Sequence, residues 1–371
     1  MEYDETVYAC AINRIFNYNC RDARIITEHF ASPGELFSLT ESELHGHIRR
    51  QEYIDAVTSP ATLRDAAEEV RWAREHGIHI IYINDREYPA RLRECPDAPT
   101  VLFLKGTSGL NPARAVAIVG TRKATSYGRE QCRAIITRLA ALSVKPAIIS
   151  GLAYGIDICA HLTALECGLE TIAVLPTGLD RIYPAAHRRH AIEILHHGGL
   201  VTDFPKGSSP QPVTFLRRNR IIAGMSDAVL LIESAAKGGG MITASLAQSY
   251  SREVFALPGR TTDPYSAGCN ALIRDNAASI ISDPSWPAKA LGWEDADNET
   301  NKDRLQKIFD TSDYIKRNIL LALAADSSVD RDIIIAKSGG DPAQVLPRLT
   351  EMEMDGLIRT DAHGNYSLTH R

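Results

Sequence analysis

The hydrophobic pattern changes period partway along the chain. Up to about residue 65 it carries helix signals: Asp22-Ala23-Arg24-Ile25-Ile26 runs into His29-Phe30, and Thr40-Glu41-Ser42-Glu43-Leu44 has the spacing of a capping box. A further helix is predicted over 62–76, closed by Gly77 where a C-cap glycine belongs. Beyond it, short apolar runs alternate with amphipathic stretches and predict strands at 78–83, 101–104, 115–119, 147–149, 171–175, 228–232, 254–257 and 279–281. Apolar strands separated by helices describe a parallel sheet buried on both faces, so the middle of the chain is expected to be a doubly wound α/β domain.

After Asp283 the pattern breaks. Pro284, Pro287 and Gly292 precede the acidic run Glu294-Asp295-Ala296-Asp297-Asn298-Glu299, which has almost nothing to bury and reads as a linker. The remainder predicts helices at 313–324, 331–337 and 342–354, then a hairpin of 357–360 and 365–368 around His363-Gly364. Three helices and a β-wing make a winged helix. Its third helix sets Arg348 against Glu351, Glu353 and Asp355, a poor complement to a DNA groove, which favours a protein contact or a structural role. The expected division is a helical domain over 1–65, an α/β domain over 66–290, a linker over 291–310 and a winged helix over 311–371.

Composition then removes several classes. With 371 residues, 44% hydrophobic and 23% charged, the chain has the make-up of a soluble multidomain protein, and no apolar run approaches the roughly 18 residues that span a bilayer. The acidic start Met1-Glu2-Tyr3-Asp4-Glu5 lacks the pattern of a signal peptide, so a cytoplasmic protein is expected. The seven cysteines are scattered with no Cys-x-x-Cys pair, and the twelve histidines form no His-Glu-x-x-His, which argues against a disulfide framework and against a metal site. Charge is divided unevenly. Lys plus Arg against Asp plus Glu number 12 to 18 over residues 1–110, 19 to 13 over 111–290 and 10 to 15 over 291–371, so only the middle is basic. A basic domain between acidic flanks points to an anionic partner at a local site.

In an open parallel sheet ligands bind beyond the carboxyl ends of the strands, and five segments there carry candidate chemistry. Gly120-Thr121-Arg122-Lys123 leads into a helix opened by Ser126-Tyr127-Gly128-Arg129, joining close backbone approach to a guanidinium fork for phosphate. Ser150-Gly151-Leu152-Ala153-Tyr154-Gly155-Ile156-Asp157 again joins strand to helix; the three glycines of a dinucleotide fingerprint are absent from the first turn, and no nucleotide cofactor is expected. Arg181 and Tyr183 precede the basic cluster His187-Arg188-Arg189-His190. Phe215-Leu216-Arg217-Arg218-Asn219-Arg220 holds three arginines in four positions; helical spacing puts Arg217 and Arg220 on one face and Arg218 on another, so one of them can pair internally. Lys237-Gly238-Gly239-Gly240 forms a backbone nest for phosphate at a helix start. Between Ser234 and Arg252 there is no Asp or Glu to act as general acid or base, and His161 and Asp157 read as packing and capping residues, so no catalytic residue is assigned.

Together these segments, with Ile118-Val119, Ile221-Ile222-Ala223-Gly224-Met225-Ser226, Thr243-Ala244, Val254-Phe255-Ala256-Leu257-Pro258-Gly259 and Asn270-Ala271-Leu272-Ile273, resemble the DNA-processing protein A family (DprA/Smf) over about residues 75–283. The resemblance implies an extended Rossmann-like domain flanked by a small SAM-like helical domain and a winged helix. It implies a non-catalytic protein that binds and protects incoming single-stranded DNA, dimerises through the Rossmann-like domain and loads the RecA recombinase during natural transformation. Arg122 and Lys237 match family residues by position, and with the reading of the loops the expected DNA-binding residues are Gly120, Thr121, Arg122, Lys123, Gly151, Arg181, Tyr183, Arg217, Arg218, Asn219, Arg220, Lys237, Gly238, Gly239 and Gly240. Asn270, Ala271, Leu272, Ile273 and Ile280 fall in the segment expected to form the dimer. Three departures stand out: Gly238 and Gly240 replace serines usual in the family, Leu216 stands where proline often precedes the arginines, and Asn276 replaces a usual glycine. The competing reading is an enzyme that cleaves nucleotide monophosphates on a related Rossmann variant.

Overall fold

The computed structural model describes residues 3–16, 19–293, 313–325, 329–355, 357–361 and 364–368, and the described chain falls into two compact units, 1–293 and 294–371. The expected linker at 291–310 lies mostly outside the described residues.

In the first unit, helices α1 (Glu5–Phe16), α2 (Cys20–His29), α3 (Pro33–Ser38), α4 (Glu41–His47), α5 (Gln51–Thr58) and α6 (Pro60–Glu75) come first. The capping box is present at α4, where the Thr40 side chain accepts from the Glu43 backbone and the Glu43 carboxylate accepts from the Thr40 backbone. Residue 65 falls inside α6, and this helix packs with α1 against the sheet: Val7, Cys10, Val70 and Ala73 share one core with Ile78, Val101 and Phe103. The helical segment and the sheet are therefore one compact body.

The sheet has nine described strands: β1 (His79–Tyr82), β2 (Val101–Gly106), β3 (Ala115–Val119), β4 (Ala147–Ser150), β5 (Thr171–Val174), β6 (Gly198–Thr202), β7 (Ala228–Leu231), β8 (Glu253–Ala256) and β9 (Ser279–Ile280). Their order is β1-β2-β6-β5-β4-β3-β7-β8-β9. From β6 to β9 every pairing is parallel, whereas β2 runs antiparallel to both β1 and β6. The expected parallel sheet holds from β6 to β9 and gives way only at this end, where β1 and β2 precede the crossover units and pair as an antiparallel edge. Strand β6 was not predicted, because Gly198-Gly199 interrupts its apolar pattern. A Cβ on Gly198 would stand 1.8 Å from the Thr171 carbonyl oxygen, so the close packing of β6 on β5 requires glycine there.

Alternate residues of the central strands serve opposite layers. Ala115, Ala117 and Val119 of β3 face the layer formed with α11 (Pro212–Gly224) and α12 (Gly239–Ser249), while Val116 and Ile118 face α8 (Ser126–Ala140) and α9 (Ile156–Glu166). Helices α7 (Ala90–Arg93), α10 (Arg188–His197), α13 (Ala267–Arg274) and α14 (Trp286–Ala290) complete this unit. The chain builds outward from β3 through β4 and β5 to β6, then returns to place β7 on the other side of β3. The loops after β3 and β7 consequently diverge at a topological switch point, where this class of fold opens a crevice.

The second unit holds α15 (Tyr314–Ala325), α16 (Arg331–Ser338) and α17 (Pro342–Met354), followed by the hairpin β10 (Ile358–Thr360) and β11 (Tyr366–Leu368). Ile319, Ile334, Val345, Leu349 and Ile358 make its core. The expected winged helix is present. Arg348 on α17 donates to the Asp313 carboxylate at 2.8 Å, and Lys316 pairs with Glu351 at 2.7 Å, so cations of this unit are engaged within it. Among the described residues, no helix of either unit is long and apolar enough to cross a membrane.

Candidate nucleic-acid interface

A cavity of about 590 Å³ lies at the switch point. Gly120, Thr121 and Arg122 reach it from the loop after β3, Ser234 and Gly238 to Gly240 from the segment after β7, and Phe215, Arg218 and Asn219 from α11. Ala153, Asp157, Tyr183 and the turn Pro210-Gln211-Pro212 close the remaining sides. Gly239 and Gly240 open α12, so their amides belong to the first turn, whose donors lack acceptors within the helix.

Glu233 stitches the two diverging loops together. It is buried at the end of β7; its backbone carbonyl accepts from Thr121 N–H at 2.7 Å, and its carboxylate accepts from Thr125 N–H at 2.9 Å and from the Thr125 hydroxyl at 2.5 Å. Thr125 in turn caps α8 by accepting from Gly128 N–H at 3.1 Å. Glu233 was not singled out in the sequence, although a carboxylate closing the apolar run Ala228 to Ile232 was a visible signal.

The floor is ionic and nearly dry. Arg218, 4% exposed, donates from Nη1 to the Gly151 carbonyl at 2.6 Å and to the Val174 carbonyl. Burial pushes its guanidinium down to about 10; nearby Asp157 opposes that shift and Arg122 adds to it. Burial likewise raises Asp157 above the usual carboxylate range, with Arg218 and the Ala153 N–H at 3.4 Å pulling it back. The Arg218 Nε is buried with no hydrogen-bond partner, an open donor beside the cavity. At the rim, the exposed Arg122 guanidinium lies 4.8 Å from the centre of the Phe215 ring, and Tyr183 meets that ring edge-on at 5.4 Å. A guanidinium, helix-start amides and aromatic faces therefore meet in one cleft.

Other expected site residues lie elsewhere. Lys123, Lys237 and Arg181 are exposed outside the cavity lining, with Arg181 Nη1 3.4 Å from the Ser209 hydroxyl. Gly151 contributes backbone to Arg218, and a Cβ there would stand 2.1 Å from Arg218 Nη1. Arg217 and Arg220 do share a face, as their spacing requires, but it turns away from the cavity. Arg217 stacks 5.8 Å from the Phe204 ring centre with Nη2 3.7 Å from Cys20 Sγ, and Arg220 is buried against Asp203 and the Asp97 carbonyl. The reading of Arg218 and Arg220 as surface phosphate contacts is corrected: both are 5% exposed or less and are held by internal acceptors. His161, also read as a packing residue, is fully buried against Thr171.

In the segment expected to dimerise, the Asn270 amide is spent on the Gly259 backbone, donating at 3.0 Å and accepting at 3.1 Å. Ala271, Leu272 and Ile273 are half-buried, while Ile280 on edge strand β9 is exposed.

The model of the DNA recombination-mediator protein A family matches residues 79–289, which contain all of this site, and the winged-helix domain model of the same family matches 310–364. The chain belongs to the DNA recombination-mediator protein A family. Protein Smf of Escherichia coli K12 is 33% identical over 334 residues, covering 84% of this chain and 87% of its own length. A DNA processing protein DprA from Mycobacterium tuberculosis, named as putative, is 34% identical over 305 residues, covering 79% of this chain and 77% of its own. The X-ray structure of the family member from Streptococcus pneumoniae superposes with a TM-score of 0.63 at 30% identity, covering 78% of this chain and 98% of that one. The Helicobacter pylori member, whose structure was reported for its single-stranded DNA binding mode, superposes with a TM-score of 0.52 at 31% identity over 58% of this chain and 95% of its own.

Proposed function

We propose that this chain is a non-catalytic mediator that binds single-stranded DNA at the switch-point cavity, protects it and loads a RecA recombinase onto it during natural transformation in the cytoplasm. The observation that carries the reading is the rim, where Arg122 lies on Phe215 beside Tyr183 above the glycine-rich start of α12. A guanidinium and helix-start amides bind phosphate whatever the sequence, while aromatic faces reward bases that are not paired. The single-stranded DNA binding mode reported for the Helicobacter pylori relative supports the same ligand. The two carboxylates at the site are committed, Asp157 to the Ala153 N–H and Glu233 to the Thr125 cap, which supports binding over chemistry. A homodimer through β9, the sheet's edge strand, would align two such clefts on one strand and raise avidity.

The test is fluorescence anisotropy of labelled oligo-thymidine and a matched duplex at low and near-physiological salt. The wild type is expected to prefer the single strand and to weaken steeply with salt. Arg122→Ala and Lys237→Ala are each expected to weaken binding by roughly tenfold and to lower the salt slope by about one. A wild type that ignores the oligonucleotide, or variants that bind like it, would overturn the assignment.

A further inference from the structure

One aromatic side chain beside the cavity has no part in the fold's core. The loop between β4 and α9 turns sharply, with Leu152 at φ +57° and Gly155 at φ +81°. Leu152 is fully buried, Ala153 lines the cavity, and Tyr154 stands out from the loop with 48% of its surface exposed. This loop touches the Arg122 loop directly: Ile156 N–H donates to the Thr121 carbonyl at 3.2 Å, and a Cβ on Gly155 would stand 2.2 Å from that same oxygen. Tyr154 is thus continuous with the rim that carries Arg122.

The ring is held in place from behind. His187 packs edge-on against it with centroids 4.8 Å apart at 68°, and the His187 Nδ1–H donates to the Leu152 carbonyl at 2.8 Å. His187 is itself buried, so the outer face of Tyr154 is supported without being covered. The next residue, Arg188, is exposed on α10, whereas Arg189 and His190 both approach the Glu193 carboxylate, at 3.5 and 3.4 Å. A supported, open aromatic face followed by an exposed cation repeats the chemistry of the Phe215 and Arg122 pair at the rim.

Resting on the function proposed above, we infer that Tyr154 is a second stacking seat for an unpaired base and that Arg188 takes the adjacent phosphate. The strand then runs from the cavity, across the Arg122 loop, toward the start of α10. A nucleic-acid single strand fits this surface because it alone presents alternating flat rings and negative charges along a flexible path.

The full-length protein would be titrated with labelled oligo-thymidines of about six and about twenty nucleotides, lengths chosen to occupy the cavity alone or the cavity and its extension. Tyr154→Ala and Tyr154→Leu are both expected to weaken the longer strand by roughly tenfold and leave the shorter within about twofold, while Tyr154→Trp preserves both. The leucine variant keeps apolar bulk without a π face. If it binds the longer strand like wild type, or if both lengths weaken together, the second seat is overturned while the cavity assignment stands. A wild type that binds neither length overturns both readings.

Discussion

Truncating Arg220 to alanine is expected to destabilise the first unit by about 3–5 kcal/mol, the cost of stranding a buried carboxylate. Arg220 is 5% exposed and Asp203 1% exposed; the two form an ion pair that also gathers the Asp97 carbonyl. Burial alone would lower the Arg220 pKa, but the carboxylates of Asp203 and Asp97 outweigh it, raise the pKa and hold the guanidinium charged. Asp203 Oδ1 already lacks a hydrogen-bond partner, so the pair is the carboxylate's main compensation. The same corner ties distant segments together: Asn13 donates to the Asp203 carbonyl at 3.0 Å, and the Tyr250 hydroxyl donates to Asp97 at 2.6 Å. The measurement is urea denaturation of the wild type, Arg220→Ala, and the double variant Arg220→Met with Asp203→Leu. The double variant is expected to recover most of the loss, because replacing both charges leaves none buried. A single variant within about 1 kcal/mol of wild type would show that the pair is not structural. The distinction bears on function, since a DNA contact would lose affinity and keep its stability.

Arg220 also shows where the sequence became illegible. The run from Arg217 to Arg220 looks like a phosphate-binding cluster, and its helical spacing correctly separates Arg218 from the other two. What spacing cannot supply is the partners, because Asp97 is 123 residues from Arg220 and Gly151 is 67 from Arg218. Only the folded sheet brings those acceptors under α11. The strands were legible for the opposite reason: β3, β4 and β7 are buried on both faces, so their apolar runs announce themselves without any knowledge of neighbours. β6 failed the same test because its close approach to β5 demands the glycines that hide it. Asn276, noted as standing where glycine is usual, sits at φ +52°, a conformation asparagine tolerates better than most residues. The loops at the switch point were legible through Gly120, Arg122 and Gly238 to Gly240, and Asp157, read as a capping residue, accepts from the Ala153 N–H ahead of α9 at 3.4 Å.

Beneath that floor, His161 is expected to make the protein acid-labile. Its ring is fully buried on α9, with Nδ1 2.7 Å from the Thr171 hydroxyl. That hydroxyl spends its own proton on the Ile148 carbonyl at 2.9 Å, so Nδ1 must be the donor and Nε2 carries the lone pair, buried with no partner. Protonating Nε2 would place a charge in a dry interior near Arg218 and His187; burial first, then those two neighbours, push the pKa down to about 3. In the unfolded chain the ring takes its proton near the ordinary 6.5. Between those values the unfolded state binds one more proton than the native state, so stability rises with pH and is lost as pH falls, by about 1.4 kcal/mol per unit from this group. Carboxylates titrating in the same range act alike in a variant, so the informative quantity is a difference. His161→Leu leaves the Thr171 hydroxyl bonded to Ile148 and removes the titration. Urea denaturation from pH 7 to pH 4 is expected to find the variant close to wild type or slightly weaker at neutral pH, then the two curves converging and crossing below pH 6.5. A gap that stays constant across the series would mean that His161 reaches protons in the folded state, and the dry floor under Arg218 would have to be redrawn with water in it.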